Sequence, residues 1–422
     1  MREEILFMEV EQARREILAH IRPLEPEPVP LLEAMARTLA EDVQAEEDIP
    51  PFENSAMDGY ALRAADVSTA APDRPVSLSV IASLAAGAAP AQPVRAGTAI
   101  RIMTGAPMPP GADTVVRFED TDEGLGGSPK TTGQVQIFRA ARPGDNVRQA
   151  GEDVHRGEVV LQRGTLLRPA EVGLLASLGR AQVAVTRRPR VAVLATGDEL
   201  VEIDEPLAPG KIRNSNSYSN YAQVLKYGGL PLMLPIARDT VADVTARIEE
   251  GIALGADLFL TSGGVSMGDY DLVKNVLHDL GQIDFWQVRM QPGKPMAFGQ
   301  MRGVPLLGLP GNPVSAMVVF EQFARPAILK MQGRRQLRKP EIEVTLLDDA
   351  KAYTDRVRFL RAIAGQDVEG HWTARLTGPQ GSGILSSMVR ANALVVIPKH
   401  PGRVSAGTRV WAQMLDWPEV DA

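Results

Sequence analysis

The amino-acid sequence predicts a multidomain α/β and β protein: an elongated chain with a parallel α/β three-layer domain, a small inserted β domain and a C-terminal β-barrel-like domain. Three observations carry that prediction. Between residues 190 and 330, apolar runs of strand length alternate with helical stretches, the pattern of a parallel sheet covered on both faces. Residues 49–142 and 336–422 hold short β-branched runs broken by glycine and proline, the texture of small β domains. The 422 residues are 44% apolar and 23% charged, so the chain can bury several cores, and 38 glycines and 32 prolines give turns a large share of the architecture.

In chain order, Val10, Ala13, Ile17, Leu18 and Ile21 share one helical face ahead of Pro23 and Pro26, which predicts an amphipathic helix over 8–21. A second short helix is expected to open at Pro30 and to carry Leu31, Leu32, Met35 and Leu39. Strands at 76–82, 99–103, 114–118 and 134–138, with a loop at 123–133, make the inserted β domain. Pro169 and Gly179 bracket a helix, since proline suits a first turn and glycine a C-terminus. Strands at 191–195, 231–236, 257–261 and 304–309 then alternate with helices near 216–227, 240–253, 270–280 and 313–331. Beyond Arg338, strands at 341–346, 358–363, 372–376, 393–398 and 410–415 make the last domain. The expected domains are 1–48 with 143–186, then 49–142, 187–335 and 336–422.

Composition narrows the chemistry. Cysteine is absent, which removes disulfides, iron–sulfur clusters, thiolate zinc and a cysteine nucleophile. The five histidines (His20, His155, His278, His371, His400) include no pair at the i, i+4 spacing that grips zinc from one helix. A formal charge of −7 gives no general attraction to nucleic acid. Met1-Arg2-Glu3-Glu4 starts neither a basic nor an apolar leader, and no apolar run nears about eighteen residues. A cytoplasmic protein with no membrane or nucleic-acid partner is expected.

In a parallel α/β sheet, ligands bind beyond the carboxyl ends of the strands, where helix N-termini favour anions. Three loops fit that rule: Thr196-Gly197-Asp198-Glu199-Leu200, the run from Thr261-Ser262-Gly263-Gly264 to Asp271, and Pro310-Gly311-Asn312-Pro313-Val314-Ser315. Ser262, Gly263 and Gly264 let backbone approach a phosphate, and Pro313 at a helix start leaves flanking N–H groups for the ligand. Glycine and serine also serve ordinary strand-to-helix turns. Glu199, Asp239 and Asp271 form an oxygen set suited to Mg²⁺, while Asp239 equally suits an N-cap before Thr240 and Asp271 the first turn of its helix. Lys294, pinned between Pro292-Gly293 and Pro295, points to an oxyanion contact, whereas Arg289, alternating with Val288 and Met290, can face solvent. In the β domain, the run from Pro50 to Ala61 has no clean period of two, and Asp58-Gly59 suits a hairpin turn. Thr104 and Arg148 lie in similar segments, offering a hydroxyl and a guanidinium to an oxyanion.

Six strings occur in order across nearly the whole chain: Ser55-Ala56-Met57-Asp58-Gly59-Tyr60-Ala61, Gly151-Glu152-Asp153, Thr196-Gly197-Asp198-Glu199-Leu200, Thr261-Ser262-Gly263-Gly264-Val265-Ser266, Pro292-Gly293-Lys294-Pro295 and Leu309-Pro310-Gly311-Asn312-Pro313. On these residues the sequence resembles the molybdopterin molybdenumtransferase family, MoeA in bacteria and the C-terminal domain of gephyrin in animals. The resemblance implies four domains, with 1–48 and 143–186 as a linker and dimerisation domain and 187–335 as the molybdopterin-binding one. It implies an elongated homodimer with its active site in a cleft between the α/β domain of one subunit and the small β domain of the other. It also implies the reaction: adenylylated molybdopterin is cleaved at its pyrophosphate, AMP leaves, and molybdate is inserted at the dithiolene to give molybdenum cofactor. By the same resemblance Asp58 and Thr104 are site positions of the β domain, and Glu199, Asp239 and Asp271 are acidic positions of the α/β domain; Glu199 and Asp271, joined by Asp239, are expected to hold Mg²⁺. Pro310 and Pro313 match prolines beside the pterin pocket, and Arg148, Arg361 and Ser382 match further site positions. Substrate contacts are expected from Ser262, Gly263, Gly264, Lys294, Gly311 and Asn312.

The family often has lysine after the tryptophan of the strand preceding Pro-Gly-Lys, and again directly before that motif. Here Gln287 follows Trp286 and Gln291 precedes Pro292, so either Lys294 and Arg289 compensate or oxyanion affinity is altered. Two rival readings stay open. A molybdopterin adenylyltransferase, also a candidate partner, would need neither 49–142 nor 340–422. A non-enzymatic scaffold of the gephyrin kind would need no carboxylate set.

Overall fold

The computed structural model describes residues 6–263 and 281–418; Gly264, Asp271 and the helix expected near 270–280 lie outside them. The chain forms two compact units, one made of residues 1–40, 164–168 and 182–422, the other of 41–163 and 169–181.

A seven-stranded sheet is the centre of the first unit. Its spatial order is Leu6–Met8, Gly281–Val288, Pro295–Met301, Val304–Leu309, Leu258–Ser262, Arg190–Ala195 and Leu230–Met233. The last four are mutually parallel and read as apolar runs because both their faces are covered. Val191, Val193, Leu258 and Leu260 pack on one side with Ile17, Val224 and Phe320, from three helical segments. On the other side Ala192, Leu194 and Phe259 meet Val244 and Ile248 of the helix Val241–Ala253, which completes three layers. The sheet is mixed rather than purely parallel: a hairpin at Arg302-Gly303 sets Pro295–Met301 antiparallel to Val304–Leu309, and Gly281–Val288 is antiparallel in turn.

The first expected helix forms over Val10–His20. The second does not: Leu31–Glu33 is a single 3-10 turn, ended by Ala36 at φ 62°. Its cause lies on both flanks. Pro26–Pro30 is held extended by pairing with Gln182–Thr186, a two-stranded ribbon whose edges tolerate proline, and Leu32 is 88% exposed, so no apolar stripe exists to bury.

The C-terminal strands close on themselves. Val357–Gln366 pairs with both Trp372–Leu376 and Ala393–Ile397, and Glu341–Leu346 with Arg409–Met414 complete the ring around Leu346, Leu360, Ala362 and Val395. Closure leaves few free edges. The second unit is built on a five-stranded sheet in the order Thr114–Arg117, Gly59–Leu62, Thr98–Ile102, Val76–Leu84 and Gly133–Ile137. Inside it, buried Tyr60 and Arg101 both donate to Glu123.

Candidate functional site

Four parallel neighbours, Leu230–Met233, Arg190–Ala195, Leu258–Ser262 and Val304–Leu309, send their following loops to one edge of the sheet. The chain leaves Arg190–Ala195 for a strand on one side and then returns for a strand on the other, the topology at which such sheets open a crevice. The loops are tied together by backbone bonds: Thr196 N–H to the Ser262 carbonyl (3.1 Å), Gly197 N–H to Ala237 (3.2 Å) and Gly263 N–H to Leu309 (3.4 Å). Gly263 has φ +94°, and a Cβ there would lie 2.6 Å from the Thr196 carbonyl oxygen, so this crossing of two loops requires glycine.

The carboxylates of this edge are arranged by backbone. Asp198 N–H donates to Asp239 Oδ2 (3.4 Å), and Asp239 N–H returns a bond to Asp198 Oδ1 (3.3 Å). Asp239 is therefore not an N-cap; Thr240 caps the helix, its hydroxyl accepting from Asp243 N–H at 3.2 Å. Glu199 folds its carboxylate back over Gly197. Among the described residues no three His, Cys, Asp or Glu side chains gather as a metal site, and Asp271 lies outside them. Asp198, Glu199 and Asp239 bring only hard oxygen donors to this edge, the donor type a Mg²⁺-like cation takes, without forming a closed ligand set among the described residues.

Pro313 opens its helix at the first turn, but the N–H of Val314 is taken by the Ser382 carbonyl at 3.0 Å. That corrects the expectation that the flanking N–H groups are free, and it is the bond that brings Ser382 to this helix start. Beside Ser382, the Gly381 carbonyl accepts from Arg361 Nη2 at 3.0 Å, while Arg361 Nε donates to Ser387 Oγ at 3.0 Å. Arg361 is fully buried and its Nη1 has no hydrogen-bond partner among the described residues. Burial, then the charge of Arg358, pushes its pKa down to about 10. Its remaining N–H group is of the kind that pairs with an oxyanion.

Lys294 goes elsewhere. Its turn packs on the Pro313 helix through Gly293 and Val319, but its ammonium lies 5.7 Å from the Phe7 ring centroid. The cavity there, about 240 Å³, is lined also by Val288, Arg289, Met290, Asp355 and Arg356, and by none of the sheet-edge carboxylates. Arg289 faces outward, as its alternation predicts, 3.5 Å from Glu9. Gln287 is buried, and the buried Oε1 of Gln291 has no hydrogen-bond partner among the described residues.

In the second unit, Asp58 Oδ1 accepts from both the N–H (2.7 Å) and the hydroxyl (2.8 Å) of Thr104. Those two bonds hold the Asp58 carboxyl below its ordinary pKa, with a smaller contribution from the charge of Arg101. Asp58-Gly59 is not a hairpin turn: Gly59 starts a central strand and comes so close to its neighbour that a Cβ would lie 2.1 Å from the Val116 carbonyl oxygen. Arg148 shares this corner, paired with Asn54 across a short ladder.

Sequence reasoning placed a helix near 216–227, observed as Ser215–Lys226, but assigned it no site residue. Asn216 Nδ2 donates to the Gly311 carbonyl at 2.7 Å, whereas Asn216 Oδ1, Ser217 Oγ and both amide atoms of the fully buried Asn220 are buried without hydrogen-bond partners among the described residues. Thr196 and Thr261, at the ends of two site strands, have buried hydroxyls in the same state. Natural interiors rarely leave such groups unmatched. Asn214-Ser215-Asn216-Ser217 at the start of a helix that must pack on a core was the available signal.

Residues 8–179 match the MoeA N-terminal region (domain I and II), residues 192–330 the probable molybdopterin binding domain, and residues 343–415 the MoeA C-terminal region (domain IV). A molybdopterin molybdenumtransferase of Haemophilus influenzae is 37% identical over 416 residues, covering 96% of this chain and 98% of that protein. Molybdopterin molybdenumtransferase 2 of Mycobacterium tuberculosis is 39% identical over 410 residues, covering 95% and 98%. The crystal structure of a molybdopterin biosynthesis MoeA protein from Pyrococcus horikoshii superposes with a TM-score of 0.82 at 32% identity, covering 97% of this chain and 100% of that one. The chain belongs to the molybdopterin molybdenumtransferase (MoeA) family.

Proposed function

We propose that this chain inserts molybdenum into adenylylated molybdopterin, with cleavage of the pyrophosphate, release of AMP and formation of molybdenum cofactor. One observation carries the reading. In the region matching a probable molybdopterin binding domain, an aligned pair of carboxylates lies at the same sheet edge as buried hydroxyls that lack partners among the described residues.

The chemical difficulty is that both reactants are anions and the chain itself has a net charge of −7. Arg361 would supply local positive potential, and a buried donor is worth most because it needs no reorganisation. Glu199 and Asp239, with Asp271, would hold Mg²⁺, which when bound neutralises pyrophosphate oxygens and makes the phosphorus easier to attack. Asp58, kept ionised by Thr104, would accept a hydrogen bond from a water and so orient the nucleophile. The same reading takes the working form to be a homodimer and the pterin to arrive from a molybdopterin adenylyltransferase.

The test is AMP release by the purified chain supplied with adenylylated molybdopterin, molybdate and Mg²⁺. Release that depends on molybdate supports the reading. A chain that instead adenylylates free molybdopterin from ATP, or that turns over nothing, overturns it.

A further inference from the structure

Away from the sheet edge, the helical segment that begins at Pro313 is interrupted. Pro326 lacks the N–H that an α-helix would donate to the Gln322 carbonyl, and the chain makes a π turn over Phe320–Ala324 before resuming as Arg325–Met331. The freed Gln322 carbonyl accepts from Arg14 Nε at 3.1 Å. Glu321, in the same turn, is buried and accepts from Lys339 Nζ (2.6 Å), Tyr227 OH (2.8 Å) and Gln223 Nε2 (3.1 Å).

Arg325 is buried beside it. Nη1 donates to the Leu337 carbonyl at 3.0 Å and the guanidinium lies 5.2 Å from the Tyr227 ring centroid, but Nε is buried without a hydrogen-bond partner among the described residues. Arg334, whose pKa is lowered by burial and then by the charge of Arg325, has a buried Nε in the same condition. Of the cations here Lys339 ion-pairs with Glu321, which three donors already engage, whereas Arg325 and Arg334 have no carboxylate within ion-pair distance among the described residues. Next to them is a cavity of about 70 Å³, with Arg14, Glu321, Gln322, Arg325, Arg338 and Lys339 on its wall. The remaining wall carboxylates are occupied, Glu11 by Arg14 at 2.6 Å and Glu341 by Gln413 at 2.9 Å. A space of this size is on the scale of a small polyatomic ion.

We propose that this cavity binds a small tetrahedral oxyanion of the phosphate or sulfate type, held by Arg325, Arg338 and Lys339 and separate from the sheet-edge site. An oxyanion supplies the missing negative charge and an acceptor for Arg325 Nε. Its position is also mechanical, because Leu337–Glu341 leads from the α/β sheet to the C-terminal barrel, and an ion bridging Arg325 to Arg338 and Lys339 braces that passage.

Calorimetric titration and thermal unfolding of the full-length chain with inorganic phosphate and with sulfate, against chloride at equal ionic strength, test this. One saturable site and a higher unfolding temperature with either oxyanion are expected. Arg325→Gln and Arg338→Gln should each weaken binding by about tenfold or more, while Arg361→Met and Lys294→Gln leave it unchanged. Arg338 is exposed, so its variant folds even where Arg325→Gln does not. The proposal is overturned by an oxyanion response no larger than that of chloride, by wild-type affinity in Arg338→Gln, or by loss of the response in Arg361→Met instead.

Discussion

Asp198 and Asp239 each accept the other's backbone N–H, at 3.3 and 3.4 Å, so two carboxylates from neighbouring strand ends are held side by side by main chain alone. Under the proposed function their remaining oxygens would be shared by one cation. Asp239→Asn keeps an oxygen for the Asp198 amide and removes one charge. Stability should change by no more than about 0.5 kcal/mol. AMP release should fall by about 100-fold, and the Mg²⁺ concentration giving half-maximal rate should rise. Asp198→Asn should act in the same direction, more weakly. Initial rates against Mg²⁺ concentration decide it: wild-type dependence in both variants would take these carboxylates out of the reaction.

The Asp58–Thr104 pair predicts a pH effect. A carboxyl whose folded pKa lies below its unfolded value stabilises the fold above the unfolded pKa, and that contribution is lost as pH falls through the folded pKa. Thr104→Val removes the hydroxyl donor and keeps the N–H, so the Asp58 carboxyl should titrate at a higher pH than in the wild type. The acid limb of the rate profile should move up with it. Following the Asp58 carboxyl by NMR beside the rate profile checks both; a shifted titration with an unmoved acid limb would show that the reaction does not need this charge.

Much of the first unit was legible because buried parallel strands leave continuous apolar runs. Arg190–Ala195, Leu258–Ser262 and Val304–Leu309 fall within a residue of their expected limits. Their motif-bearing loops were legible for the same reason, since a loop following such a run must emerge at the ligand edge. Pro26–Pro30 was not, because three prolines in five residues argue against a strand unless the ribbon is a pair of edges. The polar side of Ser215–Lys226 was missed for a related reason. A sequence shows that Asn220 is polar, but only packing shows that it is buried with nothing to bond. Arg361 was placed by resemblance, whereas its burial and its spare Nη1 are products of tertiary structure.

Gly59 gives a stability prediction with an internal control. A Cβ at this position would overlap the Val116 carbonyl oxygen at 2.1 Å within a central strand pair, so Gly59→Ala must push two strands apart. A loss of about 1–3 kcal/mol is expected, with a fall in rate because Asp58 is the adjoining residue. Gly173, inside the helix Pro169–Ser177, has nothing within 4 Å of such a Cβ. Gly173→Ala should therefore stabilise the protein by about 0.4–1 kcal/mol and leave turnover alone. Denaturant unfolding of the two variants measures the contrast, and equal effects would mean that the strand contact at Gly59 relaxes freely.

Asn220 separates recognition from folding. Its amide is fully buried and neither polar atom has a partner among the described residues, so in the free protein it carries a desolvation cost with no compensating bond. Asn220→Leu, nearly the same shape, should leave the unfolding temperature unchanged or raise it. A planar pterin with donors and acceptors along its edge is what such an amide can read, and losing it should raise KM for adenylylated molybdopterin by about tenfold with a smaller effect on kcat. Thermal unfolding paired with steady-state kinetics gives both numbers from one preparation. Lower stability with unaltered KM would place Asn220 in the core; a stable variant that binds substrate weakly would place it in the pocket, on the helix that holds Gly311 through Asn216.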